Sequence, residues 1–418
     1  MSIVLPRFRR IQKLTDRINL LVRENLSGIN VVQAFNAQDY QNDKFQDVNI
    51  EMTFTQLFNQ RVFAGLQPII ELATTGLWFS IYWLGAALLI PMALENRVAF
   101  FGDIVAFAMY ANYILSAFMM MVMIFMMIPP ALASAERIMA VLSTEAQIAE
   151  GKLNEKDDNE NIIEFRDVYF KYPNTRNDML KKISFSIKKG ETVAIIGSTG
   201  SGKTTLVNLM MRFYDATTGH VLLNGQDIKD YSFDTLYNTV CMATQKPVIF
   251  YGSIDDNIKF GEHNKELSDK EIEEAIEIAQ AQEFIAKLKD KQKTIVSQGG
   301  KDISGGQKQR LSIARAVARK PEMLILDDSF SALDYKTDAS LRRILKEKMA
   351  GTTIVMVAQR IGTIKNADKI LVLENGELAG IGTHDELLES CGTYQEIAIS
   401  QLRKEELTKI TKLKKNGK

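Results

Sequence analysis

The chain has 418 residues, of which 51 are Lys or Arg and 51 are Asp or Glu, so its formal net charge is zero. This length supports two or three domains, and the balanced charge gives no reason to expect a nucleic-acid partner. Its two cysteines, Cys241 and Cys391, are far apart in the sequence, which argues against a disulfide scaffold or a zinc site and fits a reducing compartment.

Residues 5–62 carry an amphipathic, helix-like pattern that is interrupted at Gly28. The polar NLSG precedes this break and the apolar INVVQAF follows it. The pattern favours two long helices joined by a short exposed element near residues 24–35. A single continuous surface helix with a weak point is the alternative.

Two uncharged stretches follow, Leu72–Leu94 and Ile104–Ile128. Each has about the ~20 residues that a helix needs to cross a bilayer. The segment ENRVAFFGD between them predicts a short turn, and Pro129 and Pro130 predict that the second helix bends or ends there. The basic residues that precede the first stretch place both ends in the cytoplasm. A buried hairpin of a soluble protein is the alternative.

A glycine-rich motif, GSTGSGKT, follows a predicted strand over Thr192–Ile196 and precedes a predicted helix that begins near Lys203. Strand, loop and helix in this order are the setting in which such a motif binds phosphate through inward-facing N–H groups and the helix N-terminus. Lys203 is predicted to reach the β- and γ-phosphates, and the hydroxyl of Thr204 can ligate Mg²⁺. The predicted phosphate-binding residues are Gly197, Ser198, Thr199, Gly200, Ser201, Gly202, Lys203, Thr204 and Thr205.

A second acidic motif, MLILDD, is a predicted buried strand that ends in Asp327 and Asp328. Asp327 can hold Mg²⁺ at the tip of this strand. Upstream, Ser304 can cap a predicted helix that begins near Gln307, and the free N–H groups of that helix suit a second phosphate. One nucleotide does not need two phosphate cradles from one subunit, so the pattern indicates two subunits arranged head to tail. The second cradle consists of Ser304, Gly305, Gly306 and Gln307.

The motifs GSTGSGKT, ISGGQ, LILDD and SALD occur in the order and spacing of the ATP-binding cassette exporters, which the chain resembles over nearly its whole length. ENLSGINVVQAF and SAERI extend this resemblance into the membrane part. The resemblance implies ATP and Mg²⁺ as cofactors, with Tyr172 stacked on adenine and Gln245 in contact with Mg²⁺. It also implies that Asp334 crosses a dimer interface and that LSGINVV couples the membrane domain to a nucleotide domain.

The predicted fold is therefore an α/β nucleotide-binding domain of the ATP-binding cassette type, preceded by an all-α, partial transmembrane domain. Exporter halves have six membrane helices before the nucleotide domain, and only the last two are expected here, which predicts an N-terminally truncated chain. The predicted parts are a transmembrane domain over 1–140 with helices at about 66–94 and 102–129, a linker over 141–160, an ATP-binding domain over 161–400 and a charged, solvated tail over 401–418.

Two catalytic positions depart from the pattern of the resembled family. Asp328 stands where family members that hydrolyse ATP usually carry Glu, and Gln359 stands where they usually carry His. The shorter side chain withdraws the carboxylate by roughly 1–1.5 Å, and a misplacement of ~1 Å can slow a reaction ~10²-fold. Glutamine cannot become cationic. The chain is therefore predicted to bind ATP firmly, hydrolyse it slowly and lend its intact Ser304–Gln307 group to a partner subunit.

These observations predict a heterodimeric exporter subunit in the cell membrane, multi-pass, with a cytoplasmic nucleotide domain. The expected partners are a second half-transporter, the lipid bilayer and a lipophilic or drug-like substrate, with no nucleic acid. The methionine-rich second span offers adaptable apolar surface for such a substrate, and lipid-facing filler is an equally good explanation. A non-functional fragment and a homodimeric exporter with two active sites are the alternatives.

Overall fold

The computed structural model describes residues 5–173, 175–261 and 267–401, and it forms two compact units that meet in the sequence between Thr144 and Glu145. The described part of the first unit is helical apart from short turns. Its helices are α1 (Leu5–Ser27), α2 (Ile29–Ala34), α3 (Gln38–Leu89) and α4 (Leu94–Leu142).

Helices α1 and α3 pack side by side, and the short helix α2 joins them. A small cluster of apolar side chains, Leu14, Leu21 and Val48, is buried between the two long helices. An exposed ion pair at 2.6 Å joins Arg10 to Glu51 across the same pair. The prediction of two long helices with a short element between them is confirmed, and the alternative of one continuous helix is wrong.

The turn between α3 and α4 lies earlier than the sequence predicted. Helix α3 ends at Leu89, and the residues of ENRVAFFGD belong to α4. Pro91 has no N–H to continue the first helix. Arg97, inside α4, donates from Nε to the carbonyl of Met92 and from Nη2 to that of Ile90, both at 3.0 Å. The prediction failed because this arginine satisfies backbone carbonyls at the turn and is not itself part of it.

Two segments of these helices are long and apolar enough to cross a membrane: Pro68–Leu89, with a mean hydropathy of 1.4, and Leu94–Phe125, with 1.7. Only 6% of each apolar window is buried inside the structure, which favours a membrane hairpin over the core hairpin of a soluble protein. Helix α4 does not end at Pro129 and Pro130 but continues to Leu142.

The second unit is an α/β domain built around a six-stranded sheet. Its strands are β1 (Asn161–Phe170), β2 (Leu180–Lys188), β3 (Thr192–Gly197), β4 (Thr218–Leu223), β5 (Gln226–Asp227), β6 (Val240–Ala243), β7 (Gly252–Ser253), β8 (Ile295–Val296), β9 (Met323–Asp327), β10 (Thr353–Val357), β11 (Lys369–Glu374) and β12 (Glu377–Gly382). The large sheet has the order β12-β11-β3-β10-β9-β6, in which only β12 is antiparallel to its neighbour. A four-stranded antiparallel sheet has the order β2-β1-β4-β5.

Helices cover the six-stranded sheet and complete two apolar cores, one of which also packs against the antiparallel sheet. β3, β9 and β10 are buried along nearly their whole length, as expected of parallel strands that are covered on both faces. The helices are α5 (Lys203–Met210), α6 (Phe233–Thr239), α7 (Ile254–Ile258), α8 (Asp269–Ile278), α9 (Gln282–Ala286), α10 (Gly305–Ala318), α11 (Tyr335–Lys348), α12 (Ile361–Ile364), α13 (His384–Ser390) and α14 (Gly392–Gln401), with 3₁₀ turns at Lys291–Lys293 and Gln298–Gly300.

The polar stretch after α4 lies along the second unit. Gly151 donates its N–H to the carbonyl of Tyr231 at 3.1 Å, and Leu153 forms a bridge with the same residue. The guanidinium of Arg212 donates to the carbonyl of Ala149 at 2.7 Å. The residues after Gln401, in which the charged tail was predicted, lie outside the described part of the chain.

Candidate functional site

Four neighbouring parallel strands of the large sheet end at one edge, and each delivers predicted site residues there. In sheet order, β3 leads into the glycine-rich loop, β10 leads to Gln359, β9 ends at Asp327 and Asp328, and β6 leads to Gln245. The carboxyl edge of a parallel sheet is the usual place for a nucleotide site in α/β folds. The fold therefore brings together residues that are spread over more than half of the α/β unit.

The glycine-rich loop has the geometry of a phosphate cradle. Gly200 and Gly202 have φ values of +83° and +103°, in the region that favours glycine. A Cβ at Gly202 would also lie 2.6 Å from Cδ2 of Leu180. The ammonium group of Lys203 lies within the loop and donates to the carbonyls of Gly197 and Ser198 at 2.8 and 2.7 Å. Helix α5 begins at this lysine, as predicted, so its first N–H groups face the loop.

Two carboxylates and one ammonium group make up the charged centre of the site. Partial burial lowers the pKa of Lys203, and the charges of Asp328 and Asp327 oppose this shift. Burial, followed by the charge of Asp328, raises the pKa of Asp327 to about 6. Two adjacent acids that share one lysine leave an excess of negative charge, which suits a divalent cation. The donor set thus fits Mg²⁺ held by Asp327, the hydroxyl of Thr204 and the amide oxygen of Gln245.

Asp328 is held by two amides. The side-chain Nε2 of Gln359 donates to Asp328 Oδ2 at 3.0 Å, and that of Gln245 donates to the same oxygen at 3.2 Å. The backbone of Asp328 has a φ of +47°, a conformation that aspartate tolerates better than most side chains. Its N–H donates to the carbonyl of Val357 at 3.0 Å, which ties the acid to β10. The structure therefore places both departing positions in direct contact.

Tyr172 lies within an aromatic cluster next to the helix that follows the glycine-rich loop. Its ring meets those of Phe170 and Tyr214 edge to face, at centroid distances of 4.9 and 5.1 Å. Its hydroxyl is 3.1 Å from Oγ1 of Thr205, on the first turn of α5. The aromatic side chain and the loop helix are thus joined by a direct hydrogen bond.

The second predicted phosphate cradle, Ser304–Gln307, forms the N-cap and first turn of α10. Ser304 caps this helix as predicted: its Oγ accepts the N–H of Gln307 at 3.3 Å, and the Gln307 side chain accepts the N–H of Ser304 at 2.8 Å. The helix starts at Gly305, two residues before the predicted position, because the cap itself fixes the first turn. Within the described residues, no hydrogen bond joins this cradle to the glycine-rich loop. The structure therefore keeps the two predicted phosphate cradles as separate elements of one chain, at the starts of α5 and α10.

Asp334 caps a neighbouring helix, α11. Its Oδ1 accepts the N–H groups of Lys336 and Thr337 at 3.1 and 3.0 Å, and these hydrogen bonds from Thr337 and Lys336 hold its pKa below the usual range. A Cβ at Gly306 would lie 3.1 Å from the carbonyl oxygen of Ala332. The loop before α11 therefore packs against the first turn of α10, and a side chain at residue 306 would require this loop to shift by a few tenths of an ångström.

Three residues that support the site were not predicted. Ser329, fully buried, donates to the carbonyl of Ala243 at 3.1 Å and ties the ends of β9 and β6 together. Gln309 is 2% exposed and donates to the carbonyl of Thr244 at 3.2 Å, next to Gln245. Gln401 contacts the backbone of Gln359. A polar residue at a buried helical position could have drawn attention to Gln309, whereas the sequence offers no local signal for Gln401.

Comparisons with known proteins cover both units. The family model for the ABC transporter matches residues 180–331, and the model for the ABC transporter transmembrane region matches residues 1–118. An uncharacterized ABC transporter ATP-binding protein of Mycobacterium bovis is 38% identical over 96% of this chain and 68% of its own length. An ATP-dependent lipid A-core flippase of Aromatoleum aromaticum is 31% identical over 95% of this chain and 65% of its own length.

A solved structure of a bacterial Atm1-family ABC exporter with ATP bound superimposes with a TM-score of 0.81, at 26% identity over 96% of this chain and 71% of that chain. The glycine-rich loop, the acid-ended strand and the helical membrane unit define an ATPase that is joined to a transmembrane region. The chain belongs to the ABC transporter family and has the fold of an ABC exporter. It is thus a membrane protein with a cytoplasmic ATP-binding domain, of a family that couples ATP hydrolysis to transport.

Proposed function

We propose that this chain is the slowly hydrolysing subunit of a heterodimeric ABC exporter. Its phosphate loop retains ATP, and its Ser304–Gln307 cradle completes the ATP site of a second half-transporter. The observation that carries the proposal is the contact between Gln359 Nε2 and Asp328 Oδ2, at 3.0 Å. Both residues are altered from the family's hydrolysing pair, and they touch each other.

Hydrolysis needs an acceptor for the proton of the attacking water. The carboxylate of Asp328 is set back by about one methylene relative to glutamate, and misplacement by ~1 Å can cost ~10²-fold in rate. One of its oxygens already accepts two amide hydrogen bonds, from Gln359 and Gln245. A glutamine amide can orient a carboxylate but cannot gain a positive charge beside the γ-phosphate, as a histidine can. Both substitutions act in the same direction.

Binding needs other residues, and these are present. Lys203 and the N–H groups of the loop would hold the phosphates, while Tyr172 offers an aromatic face to adenine. Asp327, Thr204 and Gln245 would hold Mg²⁺, which supplies positive charge to the β- and γ-phosphate oxygens when it is bound. The capped first turn of α10, with Ser304 at its start, would face the nucleotide of the partner, and Asp334 would lie at the interface between the two domains.

The proposed cargo is lipophilic. The membrane helices expose methionines, among them Met120, Met121 and Met123, whose flexible side chains can adapt to varied apolar molecules. The relative that is a lipid A-core flippase acts on a lipid. Stimulation of ATP hydrolysis by lipids or lipophilic drugs, in proteoliposomes that contain the complete transporter, tests this part of the proposal. Equal rates with and without such compounds would contradict it.

The state of the bound nucleotide tests the proposal as a whole. The transporter is purified through this chain, turned over on a photoreactive ATP analogue and then irradiated. We expect this chain to carry mainly the triphosphate and a second, different subunit to carry the diphosphate. Equal shares of diphosphate on both subunits would contradict slow hydrolysis, and recovery of this chain as its own only partner would favour the homodimeric alternative.

Lys203→Ala is the matched control for the labelling. Charge-assisted hydrogen bonds contribute ~1.5–3 kcal/mol each, so this variant should label this chain ~10–100-fold less. Labelling of the partner subunit should remain. A loss of both signals would show that the analogue reports on assembly rather than on this site.

A further inference from the structure

The last described residue of α14, Gln401, reaches the loop that carries Gln359. Its Nε2 donates to the backbone carbonyl of Gln359 at 2.7 Å, and its Oε1 accepts the N–H of Ile361 at 2.9 Å. The amide group of this one side chain therefore donates to the carbonyl of the residue before Arg360 and accepts from the N–H of the residue after it. The two partners are 42 and 40 residues away in the sequence, so this contact is a feature of the tertiary fold.

The loop that carries Gln359 is already fixed to the sheet on its N-terminal side, so only its C-terminal side needs a further contact. Before Gln359, the N–H of Ala358 donates to the carbonyl of Ile195 at 3.1 Å, which fixes the chain to the sheet. After it, α12 begins at the fully buried Ile361, and its N-cap residue Arg360 makes no side-chain cap hydrogen bond. The first N–H groups of a helix have no partner within the helix. Gln401 supplies the missing acceptor for Ile361 from outside α12.

We propose that Gln401 is a positioning residue for the nucleotide site. By holding the backbone of Gln359, it fixes the side chain of that residue against Asp328, at the observed 3.0 Å. Loss of the two Gln401 hydrogen bonds would release this loop, and neither of these bonds involves the phosphate loop. Gln401 would thereby affect hydrolysis without contacting the residues that bind the phosphates. The effect on hydrolysis rests on the proposed function, whereas the effect on the loop does not.

The same helix provides a matched control. Gln395 also lies on α14, and its Nε2 donates to the carbonyls of Leu388 and Glu389 at 2.7 and 3.4 Å. Gln395→Ala therefore removes a glutamine and its hydrogen bonds from α14 without touching the loop. A general loosening of α14 should affect this variant and Gln401→Ala alike.

Hydrogen exchange of the Ile361 amide in the full-length protein is the first measurement. Gln401→Ala should speed exchange of this amide by about 10-fold relative to Gln395→Ala, because it loses its acceptor. Gln401→Glu retains an acceptor for this N–H and should retain most of the protection. Equal exchange in Gln401→Ala and Gln395→Ala would overturn the proposal, whatever the hydrolytic rate of the site.

The second measurement is ATP hydrolysis, after the site has been given a glutamate and a histidine by Asp328→Glu with Gln359→His. In this background, Gln401→Ala and Gln401→Glu should both lower kcat about 3–10-fold at unchanged ATP affinity, because both lose the donor to the carbonyl of residue 359. If Gln401 only stabilised the start of α12 through the Ile361 N–H, kcat would fall in Gln401→Ala and stay unchanged in Gln401→Glu. Full activity of Gln401→Glu would therefore overturn the proposal. If the variant with Asp328→Glu and Gln359→His hydrolyses ATP no faster than the parent, the proposal that these two residues slow hydrolysis is wrong. The exchange measurement then still decides the role of Gln401.

Discussion

The two halves of the nucleotide site differ in what they retain. At β3, the glycine-rich loop keeps both left-handed glycines, the lysine and the helix N-terminus. At the ends of the neighbouring strands β10 and β9, Gln359 and Asp328 stand where, by the resemblance, family members that hydrolyse ATP usually carry His and Glu. Each half is held by hydrogen bonds: Lys203 donates to the carbonyls of Gly197 and Ser198, and the N–H of Asp328 donates to the carbonyl of Val357. Under the proposed function, this difference means that ATP binding and hydrolysis depend on separate side chains, so that hydrolysis can be weakened while binding is kept.

The largest effect is expected at the cradle that serves the partner. Ser304→Ala removes the hydroxyl that would contact the partner's phosphate, and a charge-assisted hydrogen bond contributes ~1.5–3 kcal/mol. Hydrolysis by the assembled transporter should therefore fall ~10–100-fold. Nucleotide labelling of this chain itself should not change. If Ser304→Ala instead lowered nucleotide labelling of this chain and preserved hydrolysis by the transporter, the Ser304–Gln307 cradle would serve this chain's own nucleotide rather than the partner's.

Ser268→Ala is the matched control for that substitution. Ser268 caps α8 with the same reciprocal pair of hydrogen bonds, to Glu271, that Ser304 makes with Gln307. Both variants should lose about 1 kcal/mol of stability from the missing cap. Thermal unfolding of the two proteins checks this expectation. If both also lost hydrolysis equally, the effect of Ser304 would be structural.

A smaller effect is expected on the adenine side of the loop. Tyr172→Phe keeps the aromatic face and removes only the hydrogen bond between the tyrosine hydroxyl and Oγ1 of Thr205, at 3.1 Å. The phenylalanine ring can still face adenine, and the lost neutral hydrogen bond, ~0.5–1.5 kcal/mol, lies within the protein. ATP should therefore bind at most about 3-fold more weakly, as measured by titration with a fluorescent ATP analogue. A loss as large as that of Lys203→Ala would show that Tyr172 organises the loop rather than stacking.

Much of this site could be predicted from sequence because its elements are local. The strand before Gly197, the helix after Gly202 and the cap at Ser304 each depend on residues within a few positions of one another. The sequence analysis named Asp327, Gln245 and Gln359 one by one, and their alignment at one edge became visible only with the strand order of the sheet.

The remaining features depend on contacts that no short stretch encodes. The turn between the membrane helices lies earlier than predicted, and the guanidinium of Arg97, inside α4, donates to carbonyls on either side of Pro91. Ser329 and Gln309 support strand ends whose neighbours are more than 60 residues away. In the sequence, nothing distinguishes Gln401 from an ordinary polar residue of a C-terminal helix. Its partners become apparent only when α14 packs beside α12.

Restoring the altered half of the site tests the central claim most directly. Asp328→Glu with Gln359→His returns the longer carboxylate and an ionisable side chain to the edge of β9 and β10. Because the backbone of Asp328 has a φ of +47°, thermal unfolding is measured alongside to show that the variant is folded. We predict that the site carried by this chain hydrolyses ATP about 10²-fold faster than in the parent. An unchanged rate in a folded, ATP-binding variant would contradict the claim that these two side chains limit hydrolysis.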